Sequence, residues 1–184
     1  MSNIFIDCGG NLGQSIDRFK RSEYYKQDFC IHSFEPNPSL RDKYLNRDDI
    51  SFHPQAIWVL DGEISFYLDK SRRSLGSTLI SSKHTRKIDK KKPINVPCID
   101  FSSWILKNFD ASDYIILKMD IEGAEYDVLN KMIKDNSINY IKMAFIEFHY
   151  DKINLDINVH NDLMNKLNNI AGFKLMPEFF MVVK

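Results

Sequence analysis

Hydrophobic residues in this 184-residue chain alternate between short apolar runs and stretches with helical spacing. Apolar runs at residues 4–7, 29–38, 114–120 and 140–150 end in polar residues, glycine or proline. In the stretches 124–133 and 163–170, apolar residues recur every three or four positions, as on one face of a helix. This alternation predicts an α/β domain with a mostly parallel sheet covered by helices.

Three further segments complete the predicted sheet. Residues 50–58 are predicted to form one strand, and residues 62–68 are predicted to add another close behind it. Residues 173–183 favour a tight pair of strands around Pro177, which would end the chain.

Four predicted strands end in an acidic residue. Ligands of parallel sheets bind at the carboxyl ends of the strands, near the switch in strand order. The functional site is therefore expected around these side chains, which are Asp7, Glu35, Asp120 and Glu147.

Composition and charge narrow the class of protein. The length fits one domain over residues 1–184. Lys and Arg number 25, as do Asp and Glu, so nucleic acid is not an expected partner. Three widely spaced cysteines favour a reducing compartment, and no apolar run is long enough for a membrane span. We expect a cytoplasmic protein without a membrane partner.

Met1 lies close to the first strand, so the chain could be a minimal enzyme, one unit of a larger assembly or a homo-oligomer.

A glycine-rich turn follows the first strand, in the sequence FIDCGGNLG. Gly9 and Gly10 allow backbone angles closed to other residues and let a ligand approach the main chain, with Asn11 between them and Gly13. Gly13 lets the next helix pack close, and the helix N-terminus could receive a carboxylate or phosphate. Asp7 could order the turn or reach an amine of the ligand.

Glu35 ends the second strand 22 residues after Gly13, where a carboxylate can accept both hydroxyls of a ribose. The turn is not a dinucleotide fingerprint, because Cys8 stands where its first glycine should be. A ligand with a ribose, a carboxylate and an ammonium group is S-adenosylmethionine, which we predict as the cofactor.

The predicted catalytic residues are Asp120, Glu122 and His149. Asp120 and Glu122 follow the fourth core strand, and His149 follows Glu147 by two residues at the end of the next. A histidine suits a base near neutral pH. Alternatively, Asp120, Glu147 and His149 could hold Mg²⁺ or Mn²⁺, which prefer oxygen ligands.

Residues 70–92 carry nine Lys or Arg against one acid, Asp89. Such a segment could be a solvated surface loop. It could equally be a mobile, cationic lid over an acidic or phosphate-bearing acceptor.

Several of these motifs resemble the FkbM-type family of S-adenosylmethionine-dependent methyltransferases. The turn is similar to the family's D-x-G-A-N-x-G, with Gly10 in place of the usual alanine, and SFEPNP is similar to F-E-P-N-P. The segments QAIWVLDGEISFYL and LGSTLISS also resemble family segments, whereas VPCIDFSSWI keeps only the acid of a T-L-D-D-like segment. Closest is ILKMDIEGAEYDVL, which matches L-K-x-D-x-E-G-A-E and precedes FIEFH. The resemblance covers roughly residues 3–150.

The resemblance implies a class I methyltransferase fold of the Rossmann-like type. Its sheet would have seven mostly parallel strands, an antiparallel last strand and helices on both faces. It implies an O-methyltransferase that acts on a sugar, glycan or related polyol, and it adds Pro36 and Ala56 to the expected cofactor site. Two alternatives stay open: a nicotinamide-dependent oxidoreductase, and a nucleoside-binding module without catalysis.

Overall fold

A computed structural model describes residues 1–71, 76–84 and 88–177. Within these residues the chain forms nine strands and four α-helices, joined by turns and short 3-10 helices. The strands are β1 (Asn3–Cys8), β2 (Phe29–Phe34), β3 (Ser51–His53), β4 (Ala56–Trp58), β5 (Gly62–Phe66), β6 (Ile94–Asp100), β7 (Tyr114–Met119), β8 (Ile141–Ile146) and β9 (Lys174–Met176). The helices are α1 (Gln14–Phe19), α2 (Phe101–Asn108), α3 (Glu125–Lys134) and α4 (Ile157–Asn168).

The main sheet has the strand order β3-β2-β1-β7-β8-β9, and each of its pairings is parallel. From β1 the chain builds outward through β2 and β3 on one side, and from β7 it builds outward through β8 and β9 on the other. The strand order therefore switches between β1 and β7, which places the expected ligand site beyond the ends of these two strands.

The predictions of seven strands and of an antiparallel last strand are not exact. The described residues give a main sheet of six strands, and its final strand, β9, pairs parallel with β8. Helix α4 supplies the crossover that returns the chain to the same end of the sheet, as a parallel pairing requires. β9 is the first arm of the predicted pair around Pro177, and residues 178–184 lie outside the described part of the chain.

The strand predicted over residues 50–58 is wrong, because this segment forms two strands in different sheets. β3 joins the main sheet, whereas β4 pairs with β6 in a second sheet of order β4-β6-β5. Pro54 stands between them, where it lacks the N–H donor that a continuous ladder needs. The added strand, β5, pairs antiparallel with β6.

Helices cover both faces of the main sheet, as predicted. Along β1 the side chains alternate, so that Ile4 and Ile6 join one apolar core and Phe5 joins the other. Residues of α2, α3 and α4 complete the first core, and Ile16 and Phe19 of α1 complete the second. None of the helices in the described ranges is long and apolar enough to cross a membrane.

Candidate active site

The glycine turn is held against the carboxyl ends of β2 and β7. The backbone N–H groups of Gly9 and Gly10 both donate to the carbonyl oxygen of Phe34, each at 3.0 Å. Gly9 has φ +81°, and a Cβ atom there would lie 1.9 Å from the carbonyl oxygen of Asp120. Only glycine allows this approach, so the turn that precedes α1 is fixed directly beside Asp120.

Gly10 is buried by contacts with the main sheet. A Cβ atom at this position would lie 2.3 Å from Ser33 Oγ and 2.5 Å from the Tyr44 hydroxyl oxygen. These two side chains explain why this chain carries glycine where the resembled turn usually carries alanine. Gly13, with φ +81°, precedes α1 as its N-cap residue.

Asp7 lies fully buried behind the turn and pairs with Lys118, which is also buried. Asp7 Oδ1 is 3.1 Å from Lys118 Nζ, which also donates to the carbonyl oxygen of Gly9 at 2.8 Å. Burial lowers the pKa of Lys118, but the carboxylates of Asp7 and Asp120 outweigh burial and raise it, so the lysine stays charged. Asp7 is thus placed to order the turn through Lys118.

Glu35 joins the glycine turn to the loop after β2. Its Oε2 accepts a hydrogen bond from the N–H of Asn11 at 2.9 Å, and its Oε1 accepts one from the N–H of Asn37 at 2.8 Å. Burial raises the pKa of Glu35, although these two donors act in the opposite direction. Because each carboxylate oxygen has two lone pairs, each can accept one further donor from a ligand.

A cavity of about 380 Å³ opens at the ends of β1, β2, β7 and β8. Its volume falls within the range of small-molecule sites. Of the predicted cofactor residues, those that line it are Gly9, Asn11, Glu35, Pro36, Ala56 and Asp120. Glu122 and Glu147 line the cavity as well. The other predicted site residues lie behind its wall, and these are Asp7, Gly10, Gly13 and His149.

Three carboxylates surround one nitrogen of His149, which has no exposed surface. His149 Nε2 lies 3.2 Å from Glu147 Oε1, 3.5 Å from Glu122 Oε2 and 3.7 Å from Asp120 Oδ1. Among the described residues, none is aligned to form a hydrogen bond with Nε2 or with Asp120 Oδ1, although both atoms are buried. The structure therefore brings together all three predicted catalytic residues, with Glu147 beside them.

Glu125 holds this cluster in place, and sequence reasoning missed it. Its Oε1 lies 2.9 Å from His149 Nδ1 and accepts a hydrogen bond from the N–H of Ile121. Its Oε2 accepts a hydrogen bond from the N–H of Gly123 at 2.9 Å. These contacts fix the turn before α3, in which Glu122 has a left-handed φ of +58°. The signal was present, because Glu125 is the last acid of the DIEGAE motif.

Lys83 was also missed as a site residue. It comes from the basic segment, yet it has no exposed surface. Its ammonium group contacts Glu122 Oε2 and donates to the carbonyl oxygen of Gly76 at 2.8 Å. The hydroxyl of Thr78 also donates to the carbonyl oxygen of Glu122 at 2.7 Å. Part of the predicted lid thus packs on the turn that carries Glu122, whereas Arg72, Arg73, Arg86 and Lys87 lie outside the described residues.

The cluster perturbs the acidity of its members. Burial lowers the pKa of His149, but the carboxylates of Glu125 and Glu147 outweigh burial and raise it to about 10. Burial raises the pKa of Glu122, although His149 and Lys83 act in the opposite direction. The pKa of Glu147 is lowered by its contact with His149. Such a group of perturbed residues at a cavity wall is typical of a functional site.

Comparison with known proteins gives a family and a fold. A family model described as the methyltransferase FkbM domain matches residues 7–175 of the chain. Curated proteins give no match.

A solved structure supports the same fold. The crystal structure of methyltransferase FkbM from Methylobacillus flagellatus KT is similar to the chain, with a TM-score of 0.52 and 16% sequence identity. The similarity covers 91% of this chain and 38% of that one, so this chain spans about two fifths of its length. The likeness confirms the predicted α/β fold with a mostly parallel sheet.

Proposed function

The chain belongs to the FkbM methyltransferase family, and on that premise we propose that it is an S-adenosylmethionine-dependent O-methyltransferase. Its acceptor is a hydroxyl group of a sugar, glycan or related polyol. One observation supports this proposal above the others. The glycine turn and Glu35 share a single cavity with the carboxylates of Asp120, Glu122 and Glu147.

The residues at the turn fit the cofactor. Glu35 reaches the cavity with both oxygens able to accept another donor, as the two hydroxyls of a ribose require. Pro36, Ala56 and Ile57 supply an apolar wall, which suits the faces of an adenine ring. The main chain at Gly9 lines the cavity, where it could receive the methionine portion.

The cofactor supplies an electrophilic methyl group on a sulfonium. On transfer, the bond between sulfur and the methyl group would break as the bond to the acceptor oxygen forms, and the hydroxyl proton would pass to a carboxylate of the cluster or to water. Asp120 lines the cavity beside the turn and can accept a hydrogen bond from that hydroxyl. Glu125 and His149, which lie behind the wall, hold this part of the cluster in place. Orientation alone can supply about 7–11 kcal/mol of the barrier.

The acidic wall also suits the proposed acceptor class. A polyol presents several hydroxyl donors, and carboxylates can accept more than one of them. The basic segment would suit an acceptor with a phosphate group, since it carries nine Lys or Arg. Three cysteines without a disulfide agree with a cytoplasmic site of action.

Transfer of a labelled methyl group tests the proposal. Protein is incubated with S-adenosylmethionine labelled in the methyl group and with free sugars, nucleotide sugars and glycans, and the product bond is identified by NMR. We expect S-adenosylhomocysteine and a methyl ether to form together, and transfer to fall at least a hundredfold in Asp120→Asn. In a separate binding measurement, binding of NAD in place of S-adenosylhomocysteine would support the nicotinamide-dependent oxidoreductase. Binding of S-adenosylhomocysteine without turnover on any acceptor would favour the binding module.

A further inference from the structure

Among the described residues, His149 Nε2 and Asp120 Oδ1 are buried without an aligned hydrogen-bond partner, in the middle of three carboxylates. Two of the three carboxylate oxygens lie 3.5 Å and 3.7 Å from Nε2, which is beyond the usual length of a hydrogen bond. We propose that Asp120, Glu122 and His149 form a binding site for a divalent cation, Mn²⁺ or Mg²⁺. The proposal rests on the proposed function, because the cation would bind the acceptor hydroxyl of that reaction.

The spacing of the ligand atoms suits one shared ion. Asp120, Glu122 and His149 each offer an atom, and these atoms all lie within 4.8 Å of one another. Ligands at about 2.1 Å in an octahedral shell lie about 3–4.2 Å apart. Small rotations of the side chains would therefore complete the site, and Glu147 Oε1 at 3.2 Å from Nε2 offers a further oxygen.

The orientation of His149 supports a ligand role. The Glu125 carboxylate accepts backbone N–H bonds at both of its oxygens, so it acts as an acceptor toward His149 Nδ1 as well. In neutral imidazole a proton on Nδ1 leaves the lone pair on Nε2, directed at the carboxylates. Histidines that bind metals are held in this way, with the other ring nitrogen on a carboxylate. A cation bound here would displace the proton that the neighbouring carboxylates otherwise hold on Nε2.

The cluster has more negative than positive side chains, and a divalent cation could compensate the difference. Among the described residues, five carboxylates lie in or directly behind it and three lysine ammonium groups contact them, so two negative charges are uncompensated once His149 has lost its Nε2 proton. The carboxylates are Asp7, Asp120, Glu122, Glu125 and Glu147, and the lysines are Lys83, Lys118 and Lys152. A divalent cation balances this difference, and its mixed oxygen and imidazole ligands suit Mn²⁺ or Mg²⁺.

A cation in this site would make the acceptor hydroxyl easier to deprotonate, which the carboxylates alone cannot do. An aliphatic hydroxyl is nearly as weak an acid as water, whose pKa is about 15.7, so Asp120 alone is too weak a base to deprotonate it beforehand. Asp120, Glu122 and Glu147 open into the cavity, so an acceptor oxygen can reach the cation from that side. Bound there, the hydroxyl would have a lower pKa, so its proton could pass to a carboxylate of the cluster or to water as methyl transfer occurs.

Titration with Mn²⁺, followed by electron paramagnetic resonance of the free ion, tests the site. Every sample is also titrated with S-adenosylhomocysteine, which reports separately on the cofactor site. We expect one saturable Mn²⁺ per chain, with competition by Mg²⁺. The dissociation constant should rise at least tenfold in both Asp120→Asn and His149→Gln.

His160→Gln is the matched control, because the His160 ring contacts the Tyr126 hydroxyl rather than the cluster. It should bind Mn²⁺ like wild type. Wild-type protein that binds S-adenosylhomocysteine but shows no saturable Mn²⁺ would overturn the cation site and leave the proposed function in place. Equal Mn²⁺ affinity in wild type and both cluster variants would also overturn it. Mn²⁺ binding without binding of the cofactor product would support the site and contradict the proposed function.

Discussion

The two ends of the cavity are built in different ways. At the glycine turn, the carboxylate of Glu35 accepts hydrogen bonds from two backbone N–H groups, and Gly9 rests on the main chain of Asp120. At the acidic cluster, side chains face other side chains, and Lys83 reaches Glu122 from 39 residues away.

Under the proposed function, one end of the cavity binds the cofactor and the other carries out the chemistry. Backbone contacts make the turn rigid and insensitive to most single side chains, which suits a cofactor held in one position. The cluster instead depends on charge balance among residues that follow β7 and β8 and residues of the basic segment. Within the described residues, His149 Nε2 and Asp120 Oδ1 are buried without an aligned protein partner, as are the Asp7 oxygens beneath the turn, but only Asp7 has a lysine within 3.1 Å.

The largest effect is expected from the ion pair beneath the turn. Lys118→Met leaves the fully buried carboxylate of Asp7 without its cation, which should lower the free energy of unfolding by about 3–5 kcal/mol. The double variant Asp7→Asn/Lys118→Met should recover much of this loss. Urea unfolding at neutral pH measures the free energy of unfolding of both variants.

Lys83→Met is the counterpart at the acidic cluster. Its partner, Glu122, keeps 14% of its side chain exposed, so water can solvate the unpaired carboxylate. The loss of stability should therefore be smaller than for Lys118→Met. An equal loss would show that the two ends of the cavity do not differ in the way described.

An intermediate effect is expected at Glu125. Glu125→Gln keeps the shape but removes the charge that orients His149, so methyl transfer should fall about 10–100-fold. Affinity for S-adenosylhomocysteine should not change, because Glu125 lies outside the glycine turn. Steady-state kinetics and calorimetry measure the two quantities, with the exposed Asp127→Asn in the same helix as control. A parallel loss of cofactor affinity would contradict the separation of the two ends.

The smallest effect is a pH dependence of cofactor binding. The pKa of Glu35 is raised by burial, so the carboxylate takes up a proton at a higher pH than an exposed glutamate does. Ribose hydroxyls are held best by the ionised form. Affinity for S-adenosylhomocysteine should therefore be full well above that pKa and fall as the pH drops through it, by up to about tenfold per pH unit. In Glu35→Gln, affinity for S-adenosylhomocysteine should be weaker at every pH above the pKa of Glu35 in wild type, and its dependence on pH should disappear.

Features that depend on residues close together in the sequence could be predicted from it. The turn around Gly9, the position of Glu35 at the end of β2 and the Asp120–Glu122 pair follow from local patterns of glycine, acids and apolar strands. Contacts between distant segments could not be predicted in this way. In the sequence, nothing distinguished Lys83 from the other lysines of the basic segment, or Glu125 from the other residues at the start of a helix. The break between β3 and β4 follows from Pro54, but which sheet each half joins depends on packing of the whole domain.

The most direct test of the central claim is a calorimetric titration with S-adenosylhomocysteine, with NAD as the control ligand. Wild type, Glu35→Ala and the exposed control Glu63→Ala are compared. We predict micromolar binding of S-adenosylhomocysteine to wild type and Glu63→Ala, no binding of NAD, and at least a tenfold loss in Glu35→Ala. Such a loss fits the value of about 1.5–3 kcal/mol for hydrogen bonds to a charged group. Failure to bind S-adenosylhomocysteine, a preference for NAD, or unchanged affinity in Glu35→Ala would contradict the assignment of this cavity to adenosylmethionine.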